Sequence, residues 1–229
     1  MITTLFWDID DTLLDFKRGE AIAIRQTLSH IGVEPTGETV RLYSEINESL
    51  WKRLERGEIK REQILVGRFE MLFDALGFAG DAPSAQEFYF SCLGEQHDFV
   101  EGAEAVLDAL RGTYRMIAVS NGTTVIQSKR LAASGLDRYF DRIFLSESIG
   151  AEKPSAAFFD ACFAALPDVR RDEVLIIGDS LTSDMRGGAD AGLYTCWFNP
   201  HGKTNQTGVC VDYEIAALTE LLPLLKQIG

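Results

Sequence analysis

The sequence has few of the residues from which proteins build disulfides and zinc sites. Its four cysteines are far apart, it has only three histidines, and it contains no C-x-x-C pair. Zinc sites need clustered cysteine and histidine ligands, so a zinc centre is not expected. We expect reduced, buried thiols, as is usual in a cytoplasmic protein, at Cys92, Cys162, Cys196 and Cys210.

Long hydrophobic runs are also missing. No apolar stretch approaches the ~18 residues that a membrane-spanning helix needs. The first residues lead through the short apolar segment 5–7 directly into aspartates, without the basic and long apolar regions of a signal peptide. We therefore expect a cytoplasmic protein without a membrane partner.

Positive charge is scarce as well. The sequence has 22 Lys and Arg residues against 35 Asp and Glu residues, which gives a formal net charge of −13. Nucleic acids and anionic membranes bind basic surfaces, so neither is an expected partner. A small phosphate ester can still bind, because a bound cation outweighs the net field locally.

The hydrophobic pattern divides the chain into two kinds of segment. After a β-prone start, helical spacing of apolar residues predicts four consecutive helices at 21–30, 38–54, 62–76 and 84–93, the last capped by Ser84. From residue 99 on, predicted helices alternate with short apolar strands at 115–120, 142–146, 173–178, 194–198 and 209–211, and a closing helix spans 215–225. Such alternation indicates a parallel sheet covered on both faces.

These patterns predict an α/β protein with a Rossmann-like core and an insertion. The parallel sheet and its flanking helices are expected to use residues 1–14 and 99–229. Residues 15–98 are expected to form an inserted all-α helical-bundle domain. A chain of 229 residues is long enough for both.

Polar residues follow several of the predicted strands where they end. The first strand leads into Asp8, Asp10 and Asp11, and later strands lead into Ser120-Asn121-Gly122, a loop with Lys153, and Asp179 followed by Asp184. Each group alone is also typical of a turn or a helix cap. Ligands bind beyond the carboxyl ends of the strands in open α/β sheets, so together these groups indicate a site. Carboxylates, a hydroxyl and a lysine on one edge suit phosphoryl transfer.

Four segments, in this order, resemble the motifs of the haloacid dehalogenase (HAD) superfamily: D-I-D-D-T-L, S-N-G, K-P and G-D-S-L-T-S-D. The helical block resembles the inserted C1-type cap of its subfamily I. The resemblance implies a Mg²⁺-dependent phosphatase that works through an aspartyl-phosphate. Asp8 would be the nucleophile, Asp10 the general acid and base, and Lys153 the neutralising cation.

The same resemblance assigns the remaining site residues. Mg²⁺ would be held by Asp8, the backbone carbonyl of Asp10, and Asp179. Asp184 would hold metal-bound water or orient Lys153. The phosphoryl oxygens would be bound by Ser120 and the backbone N–H groups of Asn121 and Gly122. Thr12 would tie the turn together, and Asp11 stands where the family most often has glycine, a change that aspartate tolerates.

The substrate expected from the resemblance is a nucleoside 5'-monophosphate. The segments F-W-D-I-D-D-T-L-L-D-F and C-W-F-N-P resemble the nucleotidase branch that acts on pyrimidine and non-standard nucleotides. A phosphoglycolate or sugar-phosphate phosphatase and a phosphomutase of the same superfamily are the alternatives. A more remote alternative is a receiver-type phospho-Asp signalling protein, although a receiver is about half as long. Asp10 argues against a dehalogenase, because carbon–halogen cleavage needs no proton donor. We expect a monomer or a homodimer.

Overall fold

A computed structural model describes residues 1–228 of the chain. The chain forms two compact units, one made of Met1–Asp15 together with the chain from Asp98 onward, and the other of Phe16–His97. Within the described range, no helix combines the length and the apolar character needed to cross a bilayer.

The first unit is built on a six-stranded sheet in which every neighbouring pair is parallel. Its strands, in the spatial order β3-β2-β1-β4-β5-β6, are β1 Thr4–Trp7, β2 Arg115–Ser120, β3 Arg142–Leu145, β4 Val174–Gly178, β5 Tyr194–Phe198 and β6 Tyr213–Ile215. The predicted α/β class with a parallel sheet is confirmed.

Helices account for most of the remaining structure. The Phe16–His97 unit contains α1 Phe16–His30, α2 Gly37–Glu55, α3 Arg61–Leu65, α4 Gly67–Leu76 and α5 Ala82–Leu93. The sheet unit contains α6 Ala103–Leu110, α7 Thr124–Ser134, α8 Ser146–Ile149, α9 Ala156–Ala164, α10 Arg186–Asp190 and α11 Leu221–Ile228. The fold-class prediction included an all-α insertion, and the five helices of Phe16–His97 confirm it.

Both faces of the sheet are buried. Leu5 and Trp7 of β1 lie in a hydrophobic cluster with residues of α6 and α11, whereas Phe6 lies in a second cluster with residues of α9. Alternate side chains of a strand point to opposite faces, so an uninterrupted apolar strand is the sequence pattern of a sheet covered on both sides. This burial fixes the register of β1 and, with it, the position of the residues that follow.

The helical unit has an aromatic core with a charged network inside it. Tyr43, Phe69 and Tyr89 contact one another, with ring centroids 5.4–5.7 Å apart. The buried Arg68 guanidinium lies 4.6 Å from the Tyr89 ring centroid and donates to Gln86 Oε1 and Asn47 Oδ1. A buried guanidinium needs such acceptors, because losing its water is costly.

The two segments that join the sheet unit to the helical unit are paired with each other. Asp15 N donates to Asp98 O over 2.9 Å, Val100 N donates to Leu13 O over 2.9 Å, and Leu14 and Phe99 form an antiparallel bridge. The chain therefore leaves the sheet unit and returns to it through adjacent, hydrogen-bonded segments.

Several local predictions were wrong. Residues 209–211 are not a strand, and 62–76 is interrupted at Val66. Residue 215 ends β6, and the closing helix begins at Leu221. Helix α5 starts at Ala82, with Pro83 in the first turn, where its missing N–H is not needed. Cys210 is exposed and Cys92 is only partly buried.

Candidate active site

The site is organised around Asp8, which directly follows the central strand β1. Trp7 lies in register with Ala118 of β2 and Ile177 of β4, so the ends of these two strands flank Asp8. Parallel strands present their carboxyl ends on the same edge of the sheet. The structure therefore places Ser120 and Asp179 at this edge, on either side of the aspartate; the sequence predicted the common edge but not which strands lie next to β1.

Lys153 lies between two carboxylates. Its Nζ donates to Asp8 Oδ1 over 2.8 Å, to Asp184 Oδ1 over 2.6 Å and to the carbonyl oxygen of Val119 over 2.8 Å. Lys153 and Asp184 are each 1% exposed. The ammonium group therefore has three acceptors and two buried countercharges.

Burial and the neighbouring charges both shift the pKa values of Asp8 and Lys153. Burial, and then the negative charge of Asp184, raise the pKa of Asp8 to about 7, although Lys153 acts to lower it. Burial disfavours the charge of Lys153, but Asp184 and Asp8 more than offset this and raise the pKa of the lysine. The single positive charge of Lys153 does not balance the two negative charges of Asp8 and Asp184. This excess of negative charge favours the binding of a second cation.

Asp8, Asp179 and Asp184 can each direct a carboxylate oxygen to one point. One oxygen of each lies within 4.8 Å of the others. Hard divalent cations prefer oxygen ligands of this kind, so these residues fit Mg²⁺. Asp184 already pairs with Lys153, so its position suits the predicted role of orienting the lysine.

Gly178, the last residue of β4, is needed for the approach of Asp184. A Cβ atom at this position would lie 2.3 Å from Asp184 Oδ2 and 2.4 Å from its Cγ. We expect Gly178→Ala to displace Asp184 from Lys153 and to lower the free energy of unfolding by about 1–3 kcal/mol. Chemical denaturation measures this change. Gly67→Ala is the control, because nothing lies within 4 Å of a Cβ there, and an equal effect in both variants would contradict the steric argument.

Asp11 and Thr12 have different roles in the turn that follows Asp8. Asp11 has a φ of 59°, which aspartate tolerates better than most residues, and its N–H donates to Leu14 O. Thr12 Oγ1 donates to Asp8 Oδ2 over 3.1 Å. Thr12 thus holds the second oxygen of Asp8, while Asp11 shapes the turn.

Asn121 and Ser120 have different partners. Asn121 Oδ1 accepts from Lys153 N and its Nδ2 donates to Lys153 O, both over 2.9 Å, so the asparagine side chain fixes the lysine backbone. Ser120 Oγ accepts from Gly122 N over 3.0 Å. Of the predicted phosphate-binding residues, Asn121 contacts Lys153, and the Gly122 N–H already has Ser120 as its acceptor. The phosphate-binding roles of Ser120, Asn121 and Gly122 remain predictions.

A comparison with protein-family models matches residues 2–192 to the haloacid dehalogenase-like hydrolases. This range contains the whole acidic edge of the sheet. The chain belongs to the haloacid dehalogenase-like hydrolases.

Individual members of this HAD family match almost the whole chain. The HAD-hydrolase YfnB of Bacillus subtilis is 37% identical over 97% of this chain and 95% of its own. Its crystal structure, bound to magnesium, superposes with a TM-score of 0.93 over 98% of both chains. The pyrimidine 5'-nucleotidase PynA of Streptococcus pneumoniae is 37% identical over 97% of this chain and 94% of its own. The pyrimidine 5'-nucleotidase YjjG of Escherichia coli is 31% identical over 96% of each.

Two residues near this HAD site were missed from the sequence. Gln127 and Arg130 of α7 are buried, and both donate to the Asp10 carboxylate. They lie three positions apart, on the helix face that also carries the buried Ile126 and Leu131. The exposed face of α7 also carries polar residues, so the amide and the guanidinium on its buried face had no distinct signal in the sequence.

Proposed function

We propose that the protein is a Mg²⁺-dependent phosphatase that hydrolyses a small phosphomonoester, with nucleoside 5'-monophosphates as its substrate class. The observation that carries the proposal is the position of Asp8, whose carboxylate is held by Lys153 and Thr12 at the end of β1. A fixed carboxylate beside a buried ammonium group suits attack on a phosphorus atom.

The first half of the reaction would transfer the phosphoryl group to the enzyme. One Asp8 oxygen forms a bond to phosphorus while the bond from phosphorus to the ester oxygen breaks. Asp10 gives its proton to the departing oxygen, so the product leaves as a neutral alcohol. Lys153 neutralises the Asp8 carboxylate and the transferring oxygens throughout.

The second half would release phosphate. Asp10, now a carboxylate, takes a proton from water as the water oxygen attacks phosphorus, and the bond between phosphorus and Asp8 breaks. This returns both aspartates to their starting states. Asp8, Asp179 and the backbone carbonyl of Asp10 would hold Mg²⁺, with Asp184 orienting Lys153. The bound ion would neutralise phosphoryl charge.

A phosphatase accounts for the site better than the alternatives do. Receiver domains also use aspartates and a lysine, but a family match over residues 2–192 exceeds the length of one. A dehalogenase has no use for a proton donor such as Asp10. The nucleotidase assignment is supported by two relatives, PynA and YjjG, that are pyrimidine 5'-nucleotidases.

A phosphate-release screen tests both levels of this proposal. With Mg²⁺ we expect turnover of p-nitrophenyl phosphate and faster turnover of pyrimidine nucleoside 5'-monophosphates than of phosphoglycolate or sugar phosphates. EDTA should stop release, because the carboxylates lose their cation, and added Mg²⁺ should restore it. Inert nucleotides beside one fast sugar phosphate would refute the nucleotidase assignment. No release from any ester would refute the phosphatase.

A further inference from the structure

Helix α7 carries two buried polar side chains to which the mechanism above gives no role. Gln127 and Arg130 are each 1% exposed. Burying an amide and a guanidinium is costly unless their hydrogen bonds are made. Their partners here are Asp10 and Ser120, the proposed proton donor and a proposed phosphate-binding residue.

The hydrogen bonds of this group determine one another. Arg130 Nη1 donates to Asp10 Oδ1 and, over 2.8 Å, to Gln127 Oε1. A guanidinium only donates, so the Gln127 oxygen must face it and the amide orientation is fixed. Gln127 Nε2 then donates to Asp10 Oδ2 over 2.7 Å and to Ser120 Oγ over 2.9 Å. Side chains of α7 therefore donate hydrogen bonds to both carboxylate oxygens of Asp10.

The same amide sets the direction of the Ser120 hydroxyl. Ser120 Oγ accepts from Gln127 Nε2 and from Gly122 N. A hydroxyl group has two acceptor positions and one proton. With both acceptor positions engaged, the proton is left to donate, and an anionic phosphoryl oxygen is the acceptor that the proposed reaction supplies.

The turn before α7 leaves room for this amide. A Cβ atom on Gly122 would lie 2.8 Å from Gln127 Cδ and 2.9 Å from its Nε2. The glycine of the S-N-G segment thus allows Gln127 to pack against the turn. This close approach is independent of the hydrogen bonds and indicates the same fixed position.

We propose that Gln127 and Arg130 are positioning residues that orient the Asp10 carboxyl for proton exchange with the ester oxygen and direct the Ser120 proton toward the phosphoryl group. This inference rests on the proposed phosphatase function. A carboxylate has about four acceptor positions on its two oxygens, so Asp10 can remain bound to α7 while a further position exchanges the proton.

The role predicts a dependence on the leaving group. A p-nitrophenolate is weakly basic and departs without a proton, whereas the alkoxide of an alkyl phosphate needs one. Misplacing Asp10 should therefore slow the alkyl ester far more than the aryl ester. The ratio kcat/KM is the quantity to compare, because it reports the steps up to phosphoryl transfer and excludes the later hydrolysis that both esters share.

The test uses Gln127→Met, which keeps side-chain length, and Arg130→Met, which replaces the guanidinium with an unbranched apolar side chain, with Arg130→Lys as the conservative variant. We expect kcat/KM for the fastest alkyl phosphate to fall by about 100-fold, and that for p-nitrophenyl phosphate by less than about tenfold. Arg130→Lys, which restores a donor, should recover part of the loss and also serves if Arg130→Met does not fold. Lys129→Met, on the exposed side of α7, should leave both ratios at the wild-type value.

Asp10→Asn gives the reference for a lost proton donor. In the Asp10→Asn background, Arg130→Met should add no further leaving-group dependence, because the Asp10 carboxyl that Arg130 positions is absent. Equal losses for both esters in Gln127→Met and Arg130→Met, or no loss, would overturn the positioning role and leave the phosphatase intact. A wild-type protein that hydrolyses neither ester would overturn the proposed function and this role together.

Discussion

Asp8→Asn is expected to lower kcat by on the order of 10⁴-fold or more for every phosphate ester, because an amide cannot replace the anionic nucleophile. The fold should persist. Lys153 keeps Asp184 as a countercharge and can donate to the amide oxygen in the place of Oδ1, while the Thr12 hydroxyl can accept from the amide nitrogen in the place of Oδ2. Phosphate release together with thermal unfolding separates lost chemistry from lost structure.

A neighbouring aspartate provides the matched control. Asp11→Asn removes the same charge from the same turn, and asparagine also tolerates the positive φ of that position. Its activity should stay close to that of the wild type. Rapid acid quench with labelled substrate should leave phosphate on the wild-type protein and on Asp11→Asn, but not on Asp8→Asn. Undiminished turnover in Asp8→Asn would exclude the covalent mechanism.

Lys153→Met should affect both stability and activity. It leaves Asp8 and Asp184, which are 6% and 1% exposed, without their shared countercharge. Breaking a buried ion pair in this way costs about 3–5 kcal/mol in the free energy of unfolding. Phosphate release should also fall, because the cation that neutralises the transferring oxygens is lost.

Magnesium should distinguish this effect from a simple packing defect. If the carboxylates bind Mg²⁺, the ion replaces part of the missing charge, so the stability loss should be smaller with Mg²⁺ than with EDTA. Denaturant titrations under both conditions measure the difference. Lys203→Met, which removes an exposed lysine, should show almost no loss in either. An equal loss of stability for Lys153→Met in both conditions would contradict the electrostatic account.

The acidic edge could be predicted because the order and direction of the strands determine which residues meet there. Once residues 4–7, 115–120 and 174–178 are recognised as buried parallel strands, their carboxyl ends must meet. Asp8, Ser120 and Asp179 then come together whatever the details of the helices. The strand order also placed Lys153 on this edge, but its pairing with Asp8 came only from the family resemblance, since an isolated lysine before proline carries no signal of its own.

The partners of Asp10 could not be predicted in the same way. Gln127 and Arg130 lie within a helix whose exposed face also carries polar residues, so composition does not reveal that these two point inward. Only the packing of α7 against the turn at Gly122 gives them their partners. Side-chain networks of this kind depend on distances that periodicity does not encode.

Local errors had local causes. Strand β6 includes the exposed Glu214 and lies at the edge of the sheet, so it lacks the apolar signature that drew the prediction to Val209–Val211. The helix predicted over 62–76 is divided at Val66-Gly67, where glycine is a poor helix former. Pattern alone does not reveal either effect.

The paired segments around Leu14 and Phe99 have a consequence for how the chain assembles. Strand β1 must find partners more than a hundred positions away, since Thr4 aligns with Arg115 and Val174. The hydrogen bonds from Asp15 to Asp98 and from Val100 to Leu13 hold the ends of the intervening segment together, like the stem of a hairpin. Doubling the length of a flexible loop costs only about 0.6 kcal/mol in closure entropy. The stem thus lets a whole helical unit occupy the place of a turn while the strand ends that carry Asp8, Ser120 and Asp179 stay in register.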